Sequence, residues 1–194
     1  MNFTEYVEVE KKKIRLQNIS QLRKEIDSSW VKEKINNHIL LFSNIFSEDE
    51  MKASILNNDI VASFFIKDPG RQNISEKLAL EILQVEKLPS QGKNCIRFND
   101  EGEIVSISSN NTKSADFIWK DYYVTQKYTG GVGGAQDNQR NDVIDFLKRG
   151  SIQHKVAAIV DGKYWDVWRD KLKEEFKDNP NVLITSVTEI TENI

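Results

Sequence analysis

Apolar residues recur every three or four positions from Thr4 to about Asn57, with no proline between them, and this period predicts helix. "SEDE" at 47–50 reads as a capping box that opens a short helix, with Ser47 as the cap and Glu50 three residues on. "IVASFFI" then continues as the end of that helix or as a short buried segment. "KDPG" at 67–70 is a turn, and it marks the boundary predicted between an N-terminal helical region, 1–66, and the remainder, 67–194. "NISEKLALEILQ" at 73–84 is another helix, opened by Asn73 or Ser75.

After "LPSQGKN" the period shortens to two. "CIRFN" and "IVSIS" around the turn "DEGE" read as a hairpin, and "KSADFIW" with "YYVTQKYT" reads as a second, turned at Lys120 and Asp121. "DNQRNDVIDFLKR" is helical and ends at Gly150. "KVAAIV", "YWDVWRDKLKEEF" and "NVLITSV" follow as buried strand, helix and last strand. Meandering strands followed by alternating helices and strands predict an α/β fold, with an α+β-like mixed sheet and helices on its faces.

Composition narrows this picture. The 194 residues are 39% hydrophobic and 29% charged, which suits a folded core. A formal net charge of −3 gives no support for general polyanion binding, so any nucleic-acid surface has to be local. The single cysteine, Cys95, makes no intrachain disulfide and, with two histidines, no zinc site. The N-terminus is charged from the start, and the longest apolar runs are far shorter than a bilayer requires. A cytoplasmic protein with no membrane partner is the expectation.

The candidate chemistry sits in the second hairpin. A two-residue turn at Lys120 and Asp121 pairs Trp119 with Tyr122 and sets Asp116 opposite Thr125. Alternation then gives Asp116, Thr125 and Lys127 one common face. A carboxylate, a hydroxyl and an ammonium gathered beside a glycine loop suit metal-assisted phosphodiester hydrolysis. The carboxylate holds Mg²⁺, and the lysine stabilises developing negative charge and orients the attacking water. One carboxylate makes a poor Mg²⁺ site. The following helix offers Asp137 and Asp142 as the second.

"SADFIW…YYVTQKYT" resembles the active-site hairpin of the PD-(D/E)XK nuclease superfamily, in which an aspartate on one strand faces an acid-x-Lys on the next. The stretch 113–147 looks like a type II restriction endonuclease, and "KDPGRQNISEKLALEIL" resembles the first core helix of such enzymes, whose glutamate, here Glu76, can lie beside the metal. The resemblance covers about residues 67–190 and implies a restriction-endonuclease-like core. It implies a Mg²⁺-dependent, sequence-specific endonuclease for double-stranded DNA, with Asp116 on the metal and Lys127 at the water. Thr125 stands where the second acid belongs. Some restriction enzymes have a small hydroxyl residue there and take the carboxylate from the next helix, which makes Asp142 the best-spaced candidate and Asp137 the second. Cutting both strands needs two such sites, hence a homodimer. The N-terminal helices would serve dimerisation or DNA recognition.

Gln136, Asn138, Gln139 and Arg140 crowd the start of the helix after the glycine loop. They suit contacts to phosphate or base edges, as do Arg71 and Lys113. The same polar run also serves as an ordinary helix N-terminus. Trp165 and Trp168 read as packing aromatics, and His38 and His154 as structural. Two other readings of the chain remain. One is a non-catalytic DNA-binding or interaction module on a degraded nuclease fold. The other is a nucleotide-binding βαβ unit built on "GGVGGA", with Asp161 at the end of its second strand. The latter lacks the third small residue, since Gln136 stands there, and its first strand is too polar for burial on both faces.

Overall fold

The computed structural model describes residues 2–41, 45–69, 73–90, 92, 94–105, 112–130 and 136–192. The chain divides into two units, Tyr6–Ile74 and a second made of Met1–Glu5 with Ser75–Ile194.

The helical unit carries α1 (Phe3–Lys24, whose first residues belong to the other unit), α2 (Ser29–Leu41), α3 (Glu48–Asn57) and α4 (Asp59–Phe65). The uninterrupted period from Thr4 to Asn57 is therefore divided. Residues 25–28 form a turn in which Ser28 N–H bonds the Glu25 carbonyl at 2.8 Å. The capping box at α3 is present, with Ser47 and Glu50 bonded reciprocally. "IVASFFI" does not continue α3; it is a short helix of its own, with Ala62 and Phe65 buried. Asn58 accepts from Ile60 N–H at 2.8 Å and Val61 N–H at 3.2 Å and starts α4 as a separate helix. Ile19, Leu22, Val31, Ile35, Met51, Ile55, Ala62 and Phe65 form one buried core.

The chain passes into the second unit in α5 (Ile74–Leu83), whose first residue is the last of the helical unit. Three short strands, β1 (Arg97–Phe98), β2 (Ile104–Val105) and β3 (Lys113–Ser114), form a small antiparallel sheet in the order β2-β1-β3. The rest of "IVSIS" lies outside the described residues. "KSADFIW" is two strands in two sheets. Ala115 N–H still bonds the Ile96 carbonyl at 2.9 Å, and only from Phe117 does the chain pair with the second hairpin arm.

The main sheet is β4 (Phe117–Trp119), β5 (Tyr122–Tyr128), β6 (Val156–Asp161) and β7 (Val182–Thr185), in that order. β4 and β5 are antiparallel, while β5, β6 and β7 are parallel. The crossovers are α6 (Gln136–Gly150) and α7 (Lys163–Glu175). Both pack on one face of the sheet, where Val143, Phe146 and Leu147 of α6 and Trp165 and Leu172 of α7 meet Val156, Ala158 and Val160 of β6. The other face of β6, Ala157 and Ile159, is also fully buried. The fold is thus mixed α/β, with a four-stranded mixed sheet, as the strand pattern predicts. A further helix, α8 (Val187–Glu192), takes the end of the segment expected to be all strand. β5 corrects another expectation: Thr125 and Gln126 are polar, point to opposite faces, and are both buried.

Candidate functional site

The site is built where the chain crosses between sheets. Trp119 pairs with Tyr122 and Phe117 with Val124, around a turn at Lys120, whose φ of 55° is left-handed. One step further the same register sets Asp116 opposite Thr125. β4 has stopped by then, and no backbone partner from it remains for the next donor on β5. The Asp116 carboxylate fills that place. Its Oδ2 accepts from Gln126 N–H at 2.7 Å and from Thr125 Oγ1 at 3.3 Å. Lys127 Nζ stands 3.6 Å from the same oxygen. The sequence-predicted trio Asp116, Thr125 and Lys127 is therefore one cluster, and Oδ1 of Asp116 carries none of these contacts.

Thr125 is paired with Ala158 and Lys127 with Val160, so both side chains lie on the face that α6 and α7 cover. Thr129, two residues on, donates to Gln139 Oε1 at 3.0 Å and ties the end of β5 to the first turns of α6. The ammonium and carboxylate are each partly exposed, with side-chain accessibilities of 31% and 23%. They are held but open to solvent.

The other predicted acids go elsewhere. Asp142 Oδ1 accepts from Lys113 Nζ at 2.5 Å, with Asp145 beside the same ammonium at 3.7 Å. Asp137 takes the Tyr164 hydroxyl at 3.2 Å and Arg140 at 3.3 Å. Glu76 is paired with Lys87 at 2.6 Å. This pair flanks the site, because Lys87 bridges to Phe117 and Leu88 N–H bonds the Asp116 carbonyl at 2.8 Å. Every Asp, Glu, His and Cys of the chain is described, and no three of them stand close enough to hold a metal ion. A cation shared between Asp116 Oδ1, water and a substrate phosphate fits this donor set, since Mg²⁺ is commonly held by one or two carboxylates with the phosphate. A metal held by protein groups alone does not fit it.

Of the predicted DNA contacts, Lys113 and Arg140 are engaged with acids, Gln139 is held by Thr129, Gln136 is half-buried at the helix start, and Asn138 is exposed. Arg71 and most of the glycine loop lie outside the described residues. Trp168 packs against the core as expected, and it also lies between two cations, Arg140 at 4.1 Å and Lys171 at 4.2 Å from its ring.

One buried acid gained no chemical role from the sequence reading beyond ending a strand. Asp161 closes β6 with 2% exposure and accepts from Val187 N–H at 3.1 Å. Burial pushes its carboxyl up to about 7, against the opposing pull of that bond and of Arg169. It lines a pocket of about 500 Å³ with Arg169, Ser186 and Glu189. The available signal was its position, an acid directly after the apolar run "KVAAIV" at the carboxyl end of a parallel strand.

The chain matches no protein-family model, no curated protein and no solved structure.

Proposed function

We propose that the chain is a Mg²⁺-dependent endonuclease for double-stranded DNA, similar in its hairpin to type II restriction enzymes. The observation that carries this reading is the Asp116–Lys127 pair, 3.6 Å apart on one face of the hairpin where β5 gives way to α6. The strand order also supports it. An antiparallel arm, a central strand bearing the lysine, a crossover helix and a parallel strand follow one another as in the resembling enzymes.

In this reading water attacks phosphorus, a new P–O bond forms, and one ester P–O bond breaks to leave a phosphate monoester and a hydroxyl. Lys127 holds its ammonium near the phosphate, where it offsets the charge that develops on the oxygens and orients the water. Asp116 would hold a Mg²⁺ ion, which when bound would neutralise phosphate charge and polarise the phosphoryl oxygen. Thr125 Oγ1 and Gln126 N–H hold the carboxylate through Oδ2. Cutting both strands calls for two copies of the site, and so for a homodimer.

A second reading, a non-catalytic DNA-binding or interaction module, draws on one observation. Asp116 completes the pairing of β5, which is a sufficient structural reason for a carboxylate there, and among the described residues no group of three His, Cys, Asp or Glu stands close enough to hold a metal ion.

Incubation of long, mixed-sequence DNA with the protein separates the two readings. Discrete fragments that need Mg²⁺, disappear with EDTA and are lost in Lys127→Ala are the expected outcome. Intact DNA with the wild-type protein, with Mn²⁺ also tried, overturns the nuclease and leaves the binding module.

A further inference from the structure

β6 ends on a carboxylate that the fold buries and leaves half satisfied. Asp161 is 2% exposed, and its Oδ2 accepts from Val187 N–H at 3.1 Å. Its Oδ1 has no hydrogen-bond or ion-pair partner among the described residues. Arg169 stands in the same pocket but is engaged elsewhere, with the Val160 carbonyl at 3.2 Å, Glu189 at 3.3 Å and Asp166 at 3.6 Å. The pocket, of about 500 Å³, belongs wholly to the second unit. It opens at the carboxyl ends of β6 and β7, where open α/β sheets commonly take their ligands.

We propose that this pocket binds a small aliphatic diamine, with one ammonium on Asp161 Oδ1 and the other at Glu192. Three observations select that class. The first is the unpartnered oxygen. A carboxylate withdrawn from water is costly unless it is paired and fully hydrogen-bonded, and a cation with N–H donors supplies what Oδ1 lacks.

The second is the sign of the lining. Five acids line it, Glu5, Asp161, Asp166, Glu189 and Glu192. Two bases, Lys163 and Arg169, leave an excess of three negative charges, which favours a ligand with more than one positive charge. Glu192, at the end of α8, is exposed and has no partner among the described residues, so a second ammonium has an acid to meet. The third is the character of the walls. Every lining residue among those described is polar or charged. Without an aromatic ring to cover a methylated ammonium, the pocket suits N–H donors rather than a quaternary cation. No three of its acids stand close enough to hold a metal ion, which sets a bare divalent cation aside.

The charged groups around Asp161 are Lys163, Asp166 and Arg169 on α7, Glu189 and Glu192 on α8 and Glu5 on α1. Burial raises the Asp161 carboxyl to about 7, with the Val187 N–H bond and Arg169 opposing and Asp166 and Glu189 adding. An ammonium against Oδ1 favours the ionised form and must bring this value down.

Calorimetric titration of the full chain with 1,4-diaminobutane at about pH 8 tests the proposal, in salt of about 0.15 M, where exposed charges are screened beyond about 8 Å. The wild type is expected to bind one diamine per chain. Asp161→Asn, which keeps an acceptor for Val187 N–H, is expected to weaken binding by roughly tenfold or more. Butylamine, with a single ammonium, is expected to bind the wild type roughly tenfold more weakly than the diamine. In the wild type, NMR of the Asp161 carboxyl is expected to show it titrating lower by about one pH unit or more under saturating diamine. That readout decides the matter even where the variant fails to fold. A wild type that binds no diamine overturns the proposal. So does equal binding by a folded Asp161→Asn, or an Asp161 titration that the diamine leaves unmoved. Equal binding of butylamine overturns the second ammonium position at Glu192.

Discussion

Thr125 stands across the hairpin from Asp116 and donates its hydroxyl to Asp116 Oδ2 at 3.3 Å. A second carboxylate would occupy that place in the sequence pattern of the nucleases the hairpin resembles. Thr125→Glu supplies one. Without metal the variant is expected to be less stable than wild type, because a buried glutamate then faces a carboxylate. Mg²⁺ should reverse this, since a ligand bound only by the folded state at a hundred times its Kd stabilises by about 2.7 kcal/mol. Thermal unfolding with and without Mg²⁺ checks it. A melting temperature of Thr125→Glu that ignores Mg²⁺ would show that Oδ1 of Asp116 is not aimed at a cation position.

Asp116 has a structural duty that is separable from the chemical one. Asp116→Ala leaves the Gln126 N–H without its acceptor and is expected to cost about 1–3 kcal/mol. Asp116→Asn keeps a carbonyl oxygen for that donor and should cost distinctly less. Both should lose Mg²⁺-dependent cleavage. Urea unfolding and hydrogen exchange at the Gln126 amide measure the first effect, and the DNA assay measures the second. Equal loss of stability in the two variants would mean that the Gln126 bond is not what the carboxylate contributes.

Asp142, the acid that spacing favoured for the metal, is tied to Lys113 instead, in a pair with its carboxylate side about half exposed. Exposed pairs of this kind contribute little. Asp142→Asn is therefore expected to change stability by less than about 1 kcal/mol and to leave cleavage within a few-fold of wild type. Fragment yield against enzyme concentration is the readout. Loss as complete as that of Lys127→Ala would return Asp142 to the metal.

The hairpin register was legible because a two-residue turn leaves only one alignment, and Lys120 in the left-handed region shows the turn where it was read. The capping box at Ser47 was legible because both partners are local in sequence. What the sequence concealed depends on distant partners. Nothing near Lys113 announces that β3 belongs to a different sheet from β4, since Ala115 turns to Ile96, nineteen residues earlier in the chain. The burial of Thr125 and Gln126 was hidden for a similar reason. Their polarity argued against burial on both faces, but β5 lies between β4 and β6 with α6 over one face. Helix period placed Asp142 correctly on α6, yet could not say that Lys113 would reach it first.

Gly162 begins α7 with φ of +101°, and a Cβ on it would lie 2.3 Å from the Thr129 carbonyl oxygen. The close approach follows from the sheet, since Thr129 N–H bonds the Asp161 carbonyl at 3.0 Å as the last rung between β5 and β6. Gly162→Ala combines a conformation that side chains rarely adopt with a clash against backbone. A cost of roughly 3 kcal/mol or more is expected, a large part of the margin of a domain this size. Thr129 must move to relieve it, and with it the Gln139 bond that holds the start of α6. Denaturant unfolding measures the cost. A variant within about 1 kcal/mol of wild type would mean that the β6–α7 turn yields more easily than its geometry implies.

Asp161 gives the chain a dependence of stability on pH whose sign can be worked out. Burial raises its carboxyl from 3.8 to about 7, with Asp166 and Glu189 adding to the effect and the Val187 N–H bond and Arg169 opposing it. Between these two values the folded protein holds a proton that the unfolded chain has released. Stability attributable to Asp161 therefore falls as pH rises through the window from about 4 to 7, and the full cost is present above it. Below both values the group has no effect. A shift of one unit corresponds to about 1.4 kcal/mol, so the cost above neutrality reaches at most a few kcal/mol. Asp161→Asn keeps an acceptor for Val187 N–H and cannot ionise. The variant is expected to match wild type near pH 4 and to exceed it in stability at pH 8. Urea unfolding of both proteins at the two pH values reads the difference, in which the other titrating groups largely cancel. A variant less stable than wild type at pH 8 would show that the ionised carboxylate is held by Arg169 and the Val187 N–H more tightly than burial disfavours it.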